Sequence, residues 1–222
     1  MPNKSLAEIE LEEYRLHVGE REWSVLHSGA LISFGDEQAF LSEPRETRLP
    51  YGLALWPASI ALAHDLAGRA LELRGARLLE LGAGTGLPGI VASACGACVT
   101  QTDRYEASLA ICRQNGERNG AHGIQYRLAD WVHWDDPMRY DYIIGADILY
   151  AEGAQPHLQR IFANNLTPAG RIFLSDPFRL GSIRFLEKLE GSGWRVDMAK
   201  WTLGEGEDAR AIGVFELRRV SS

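Results

Sequence analysis

A chain of 222 residues with 45% hydrophobic content is long enough to bury one substantial core, and no repeat or low-complexity tract divides it. The net charge is −7, and residues 1–48 carry −5 of it as ten acidic against five basic side chains, a balance that argues against a nucleic-acid groove and suits a basic partner. The first residues contain no apolar signal core and no segment reaches the length of a membrane span, so a soluble, cytoplasmic protein without a membrane partner is expected.

Residues 1–48 read as an N-terminal extension ahead of a single domain at 49–222. Within the extension, Tyr14-Arg15-Leu16-His17-Val18 and Trp23-Ser24-Val25-Leu26-His27 flank Gly19-Glu20 and predict a hairpin. The stretch Leu49-Pro50-Tyr51-Gly52-Leu53-Ala54-Leu55-Trp56 is unusually apolar for a loop and requires cover from the sheet edge, a substrate or a partner. A helix with proline in its first turn follows, from Trp56 to near Gly75. From residue 77 short apolar runs alternate with amphipathic stretches, the pattern of a parallel sheet covered by helices. Strands are predicted at 77–81, 97–102, 124–128, 141–146, 171–176, 194–202 and 211–219, with helices at 87–95, 106–119, 153–166 and 180–191. Only a Gly/Glu/Asp-rich turn joins the last two strands, which makes them an antiparallel hairpin.

The sequence Glu80-Leu81-Gly82-Ala83-Gly84-Thr85-Gly86 stands between a buried strand and a helix. Glycines there let the backbone turn and approach a ligand closely, while the next helix aims unsatisfied N–H groups at it. The helix from Trp56 is expected over the mouth of this pocket. Gly84-Thr85-Gly86-Leu87-Pro88-Gly89 also fits the G-x-G-x-x-G string of a dinucleotide site, with Asp103 near the place of the ribose-binding acid. Glu80 at the strand tip argues the other way: a carboxylate beside the glycines repels phosphate and favours a cationic ligand. Asp103 has a second reading, as the N-cap of the helix beginning near Glu106.

Other pairings lead to less. Cys95-Gly96-Ala97-Cys98 has the spacing of a dithiol, but no second C-x-x-C and no clustered histidine completes a metal set, so no metal is expected. The six histidines are scattered, and no G-x-S-x-G elbow supports a hydrolase.

Leu79-Glu80-Leu81-Gly82-Ala83-Gly84-Thr85-Gly86 resembles motif I of the S-adenosylmethionine-dependent methyltransferases with a seven-stranded fold. The resemblance implies a Rossmann-like α/β architecture of strand order 3-2-1-4-5-7-6. Asp147-Ile148-Leu149-Tyr150 after the fourth strand, taken with Trp56, Asp130-Trp131 and motif I, is similar to methyltransferase family 16, over roughly residues 49 to 180. That group includes protein lysine methyltransferases. Carried over by position, the likeness implies cofactor contacts at Trp56, Gly82, Ala83, Gly84, Asp103, Asp130, Trp131 and Ala146, with Glu80 near the methionine end. Asp147 and Tyr150 would face the methyl acceptor. The expected reaction is N-methylation of a protein lysine with S-adenosylhomocysteine as product. A small-molecule amine is the alternative acceptor, and an oxidoreductase or an inactive cofactor-binding module the remoter readings. Ser175-Asp176-Pro177-Phe178-Arg179 after the fifth strand is another candidate for the acceptor side. Plain structural roles compete at three points: Trp131 as core beside Trp134, Asp147 as a cap for the helix near Glu152, and Asp176 before Pro177 as a turn residue instead of a contact for a basic substrate.

Overall fold

The computed structural model describes residues 9–30, 51–206 and 209–220, so Leu49, Pro50 and much of the expected extension lie outside the described residues. A two-stranded ribbon, β1 (Glu12–Val18) and β2 (Arg21–His27), precedes everything else and pairs antiparallel about Gly19 and Glu20. The main sheet contains β3 (Arg77–Leu81), β4 (Cys98–Asp103), β5 (Gln125–Leu128), β6 (Tyr140–Ala146), β7 (Leu166–Asp176), β8 (Trp194–Leu203) and β9 (Arg210–Arg219). Their spatial order is β5-β4-β3-β6-β7-β9-β8, which is 3-2-1-4-5-7-6 when the sheet's own strands are counted. The first five are parallel, and β9 enters antiparallel between β7 and β8.

Strand alternation builds two cores from one sheet. Leu78, Ile144, Phe173 and Val214 face α1 (Pro57–Gly68) and α3 (Leu87–Ala94), together with Val18, Trp23 and Val25 of the ribbon. Leu79, Leu81, Ile143, Ile172 and Leu174 point the other way, onto α5 (Gln155–Asn165) and α6 (Leu180–Glu190). The ribbon thus shares the main core. The apolar run before α1 is covered in the same manner: Leu53 and Leu55 are fully buried by the protein's own residues.

Three sequence expectations shift. The helix expected to reach Gly75 breaks at Arg69 (φ −106°, ψ 19°), and only the short α2 (Ala70–Leu73) continues it. Strand β7 begins at Leu166 instead of 171, because Leu166 already pairs with Tyr140 across a register irregularity. No residue of α1 lines the ligand cavity described below, since α1 is buried along the sheet; Tyr51 and Gly52, ahead of it, hold that place.

Helix α4 (Glu106–Arg118) carries the ribbon by an unusual device. Asn115, on its buried face, accepts from Leu26 N at 2.7 Å and donates to Leu26 O at 3.1 Å, while Asn119 just beyond the helix does the same for Ser24 at 3.0 and 2.7 Å. Two side-chain amides one helical turn apart therefore substitute for a neighbouring strand along the edge of β2. Asn115 also donates to Thr85 O at 2.9 Å, tying the ribbon to the glycine loop. Asn115→Ala should cost about 2 kcal/mol, because it strands buried backbone groups, and lower Tm by about 4–8 °C in a thermal melt. An unchanged melt would refute this bridging role.

Candidate active site

The carboxyl ends of β3, β4 and β6 open into a cavity of about 190 Å³, lined by Gly82, Asp103, Trp131, Ala146, Asp147 and Tyr150 among others. An open groove lined by Arg104, Tyr105, Leu128, Ala129 and Asp130 adjoins it. Gly82 turns the chain out of β3 with φ 63°, and a Cβ there would lie 3.1 Å from Ile148 Cγ2 and 3.2 Å from Trp131 Cζ2. Only glycine fits both the backbone and the ring laid against it. Trp131 is partly buried against the second core and also forms a cavity wall.

Asp103 ends β4 and is 6% exposed. Its Oδ2 accepts from Gly84 N at 3.1 Å and its Oδ1 from Tyr105 N at 3.0 Å. It therefore ties the glycine loop to the start of α4 through an Asx turn; the N-cap itself is Tyr105, which makes no side-chain cap bond. Burial raises the Asp103 pKa, against backbone hydrogen bonds from Tyr105 and Gly84 and the charge of Arg104. Each carboxylate oxygen keeps a further lone pair for a hydroxyl donor. Asp130 stands exposed at the rim, its Oδ1 accepting from Val132 N at 2.9 Å.

Other expected cofactor residues stand behind the lining. Ala83 is buried, Gly84 (φ 57°) is pressed against Gly52, and the Trp56 indole donates to Tyr51 O at 2.9 Å while stacking on the Tyr51 ring at 6.1 Å.

Glu80 departs furthest from its expected place. Strand alternation puts it on the Leu78 face, beneath α3, where it is 1% exposed and accepts from Gln101 Nε2 at 2.6 Å. A Cβ on Gly89 would come within 2.3 Å of Glu80 Oε2, so the third glycine of the string serves helix–strand packing. Desolvation pushes the Glu80 pKa up to about 8 from 4.5, against hydrogen bonds from Gln101 and Gly89 that favour the anion; the charge of Asp103 adds to the rise. Burial thus favours the protonated acid at neutral pH. The sign for stability follows. The folded state keeps a proton that the unfolded chain releases above its ordinary pKa, so this contribution is complete at acid pH and is lost as pH climbs toward 8. Urea unfolding should show wild-type stability falling by about 1 kcal/mol per pH unit across that window, and Glu80→Gln should flatten the slope. Parallel profiles for the two proteins would disprove the assignment.

At the other end of the cavity, Asp147 has φ 54°. Both its oxygens are held by Arg179, through Nη1 to Oδ1 and through Nη2 to Oδ2 at 3.1 Å. The Asp147 carboxylate is thus held in an ion pair, and the residue capping the turn at Glu152–Ala154 is Ala151. Tyr150 is 56% exposed, its ring 6.5 Å from that of Tyr51 across the mouth, and burial raises its pKa so that the phenol stays protonated. Asp176 is fully buried and accepts from Arg179 N and Ser182 Oγ at 2.7 Å each, which settles it as a turn residue out of a substrate's reach. Sequence reasoning did not assign Tyr51, Gly52 or His157 to the site, and it named Arg179 only within the Ser175–Arg179 segment on the acceptor side. The apolar loop before α1 was a usable signal for the first two; nothing local marks His157.

A parallel sheet closed by an antiparallel hairpin, with its cavity at the glycine bend, defines the seven-stranded methyltransferase class. A 16S rRNA N2 G1207 methyltransferase of T. thermophilus, solved with AdoMet and guanosine, superposes at TM-score 0.62 with 21% identity over 95% of this chain and 51% of its own, a likeness of fold. A family model described as lysine methyltransferase matches residues 37–191, and the chain belongs to that family. It is 35% identical to protein N-lysine methyltransferase METTL21A of Xenopus tropicalis over 60% of this chain and 63% of that relative. It is 30% identical to EEF1A lysine methyltransferase 3 of Mus musculus (69% and 68%), and 35% identical to histone-arginine methyltransferase METTL23 of Rattus norvegicus (54% and 60%). The match thus spans just under two thirds of the METTL21A relative's length.

Proposed function

We propose that this protein transfers a methyl group from S-adenosylmethionine to a lysine side chain of a protein substrate. One observation carries the reading: Gly82, Asp103, Trp131, Asp147 and Tyr150, drawn from the ends of four successive parallel strands, line a single cavity. The residues fit the cofactor. Gly82 gives a cradle that any Cβ would fill, Asp103 offers a buried carboxylate with lone pairs for ribose hydroxyls, and Trp131 supplies an apolar face for the adenosyl group. Asp130, at the adjoining groove, would accept from the exocyclic amine. The enclosed part is smaller than the ~300–1,000 Å³ of ordinary ligand sites, and the groove supplies the remaining room. Among the described residues no group of His, Cys, Asp and Glu is arranged to hold a metal.

When bound, S-adenosylmethionine supplies an electrophilic methyl on a sulfonium sulfur. The protein's own task is alignment, since displacement at carbon gains much of its rate from a nucleophile held in line. A lysine amine, with an ordinary pKa near ~10.4, must also lose a proton. Burial between Trp131, Tyr51 and Tyr150 favours the neutral amine, and a carboxylate opposes it. Asp147, already paired with Arg179, therefore acts by orienting the amine through a hydrogen bond and not as a strong base.

The test is mass spectrometry of a cell lysate incubated with deuterated S-adenosylmethionine, with and without the protein. Heavy methyl on a protein lysine supports the reading. Label confined to arginine, the residue named in METTL23, or to small metabolites would replace it, and no label at all would overturn it. A thermal shift with S-adenosylhomocysteine and none with NADH removes the oxidoreductase reading.

A further inference from the structure

Among the described residues, Asp147 (φ 54°) and Phe178 (φ 63°) are the two non-glycine residues with left-handed backbone. Such strain persists where the surroundings over-determine it, and it gathers at functional sites. The two lie at the carboxyl ends of neighbouring parallel strands, β6 and β7, and Asp147 N donates to Ser175 O at 2.8 Å. Arg179, next to Phe178, joins the strained positions: it grips both oxygens of Asp147, and its Nη1 lies 3.5 Å from Asp176 Oδ2. Asp176 is itself fixed by Arg179 N and Ser182 Oγ. Two carboxylates and one guanidinium leave this cluster with a charge of −1, directly beside the cavity that Asp147 lines.

We propose that Arg179 is a positioning residue for methyl transfer: it holds Asp147 in its left-handed conformation and cancels one of the two negative charges at this end of the cavity, Asp147 in its lining and Asp176 buried behind it. The inference rests on the lysine methyltransferase reading above. Its logic is electrostatic. A cluster of −1 draws in a lysine cation, whereas −2 would also hold the bound amine protonated and unreactive. Arginine suits the task because its fork engages both carboxylate oxygens at once and never loses its charge. Among the described residues, the other charged and titratable groups near Asp147 include Asp103, Arg104 and Tyr105 after β4, Asp130 after β5, Tyr150, Glu152 and His157 before and in α5, and Asp176 after β7. All are common to the proteins compared, so a difference between them reports Arg179.

The experiment compares wild type, Arg179→Gln and Arg179→Lys, each checked by a melting curve. Tritiated S-adenosylmethionine is present at saturation with cell-lysate protein as acceptor, from about pH 6 to about pH 10. Arg179→Gln should move the acid limb of the rate profile up by about one pH unit, so that the rate is about tenfold low near pH 7 and recovers in alkali. Arg179→Lys keeps the charge and loses the fork; its limb should stay with wild type while its rate falls at every pH. Should Arg179→Gln fail to fold, Arg179→Met, neutral at every pH, takes its place with the same expected shift. A limb unmoved in the neutral variant, with wild type active, overturns the proposal alone, since lost packing would lower the rate uniformly. Absence of transfer by wild type at every pH would overturn the functional reading and this inference with it.

Discussion

Asp147→Ala should lower methyl transfer by at least about 100-fold while affinity for S-adenosylhomocysteine changes by no more than about threefold, a misaligned acceptor alone being sufficient for such a loss. The reason lies in where Asp147 sits. It follows β6 and lines the cavity beside Tyr150, whereas the carboxylate suited to the ribose, Asp103, belongs to β4 on the other side of β3. Alanine removes the hydrogen-bond acceptor and turns the cluster with Asp176 and Arg179 from −1 to neutral, leaving a guanidinium beside an incoming lysine cation. Alanine at φ 54° adds a backbone cost of about 1–2 kcal/mol. Asp147→Asn is the control for that cost, because asparagine tolerates the left-handed region and keeps the shape. Single-turnover transfer with calorimetric binding separates the two effects. Near-wild-type transfer by both variants would remove Asp147 from the acceptor site.

How far this site could be read in advance depended on whether its signal was local. The glycines at 82, 84 and 86 each have positive φ, and that requirement is written in residue type. The buried run Leu78-Leu79-Glu80-Leu81 and the turn between Trp194–Leu203 and Arg210–Arg219 likewise specify a central strand and a closing hairpin. Glu80 illustrates a signal carried by strand alternation: residues two apart in a strand share a face, so Glu80 follows Leu78 under α3 and stands outside the cavity lining. Arg179 illustrates one only partly local: its segment was a candidate for the acceptor side, but its pairing with Asp147 was not visible. It lies 32 residues beyond Asp147, and only the parallel pairing of β6 with β7 brings the two together. The break at Arg69 belongs with it, since that side chain meets Glu216 at 3.4 Å and the Phe173 ring at 4.5 Å, contacts set by the sheet.

Asp103→Ala should act at the other end of the cavity and with the opposite kinetic signature. Hydrogen bonds to a charged group are worth about 1.5–3 kcal/mol each, so losing two ribose contacts should weaken S-adenosylhomocysteine binding by at least about 100-fold. The substitution also releases Gly84 N and Tyr105 N, loosening the glycine loop at the edge of the cavity. A modest fall in stability should therefore accompany the loss of affinity. Asp103→Asn discriminates between the two contributions: its single acceptor oxygen can hold one of the two amides, and its amide nitrogen can accept from no hydroxyl. It should recover part of the stability and little of the affinity. Saturating cofactor should restore much of the transfer rate in Asp103→Ala and none of it in Asp147→Ala, because the first variant binds poorly and the second presents the acceptor poorly. Wild-type affinity in Asp103→Ala would mean that the buried carboxylate is there only to pin Gly84 to Tyr105, and the ribose would have to be held from the groove side, by Asp130.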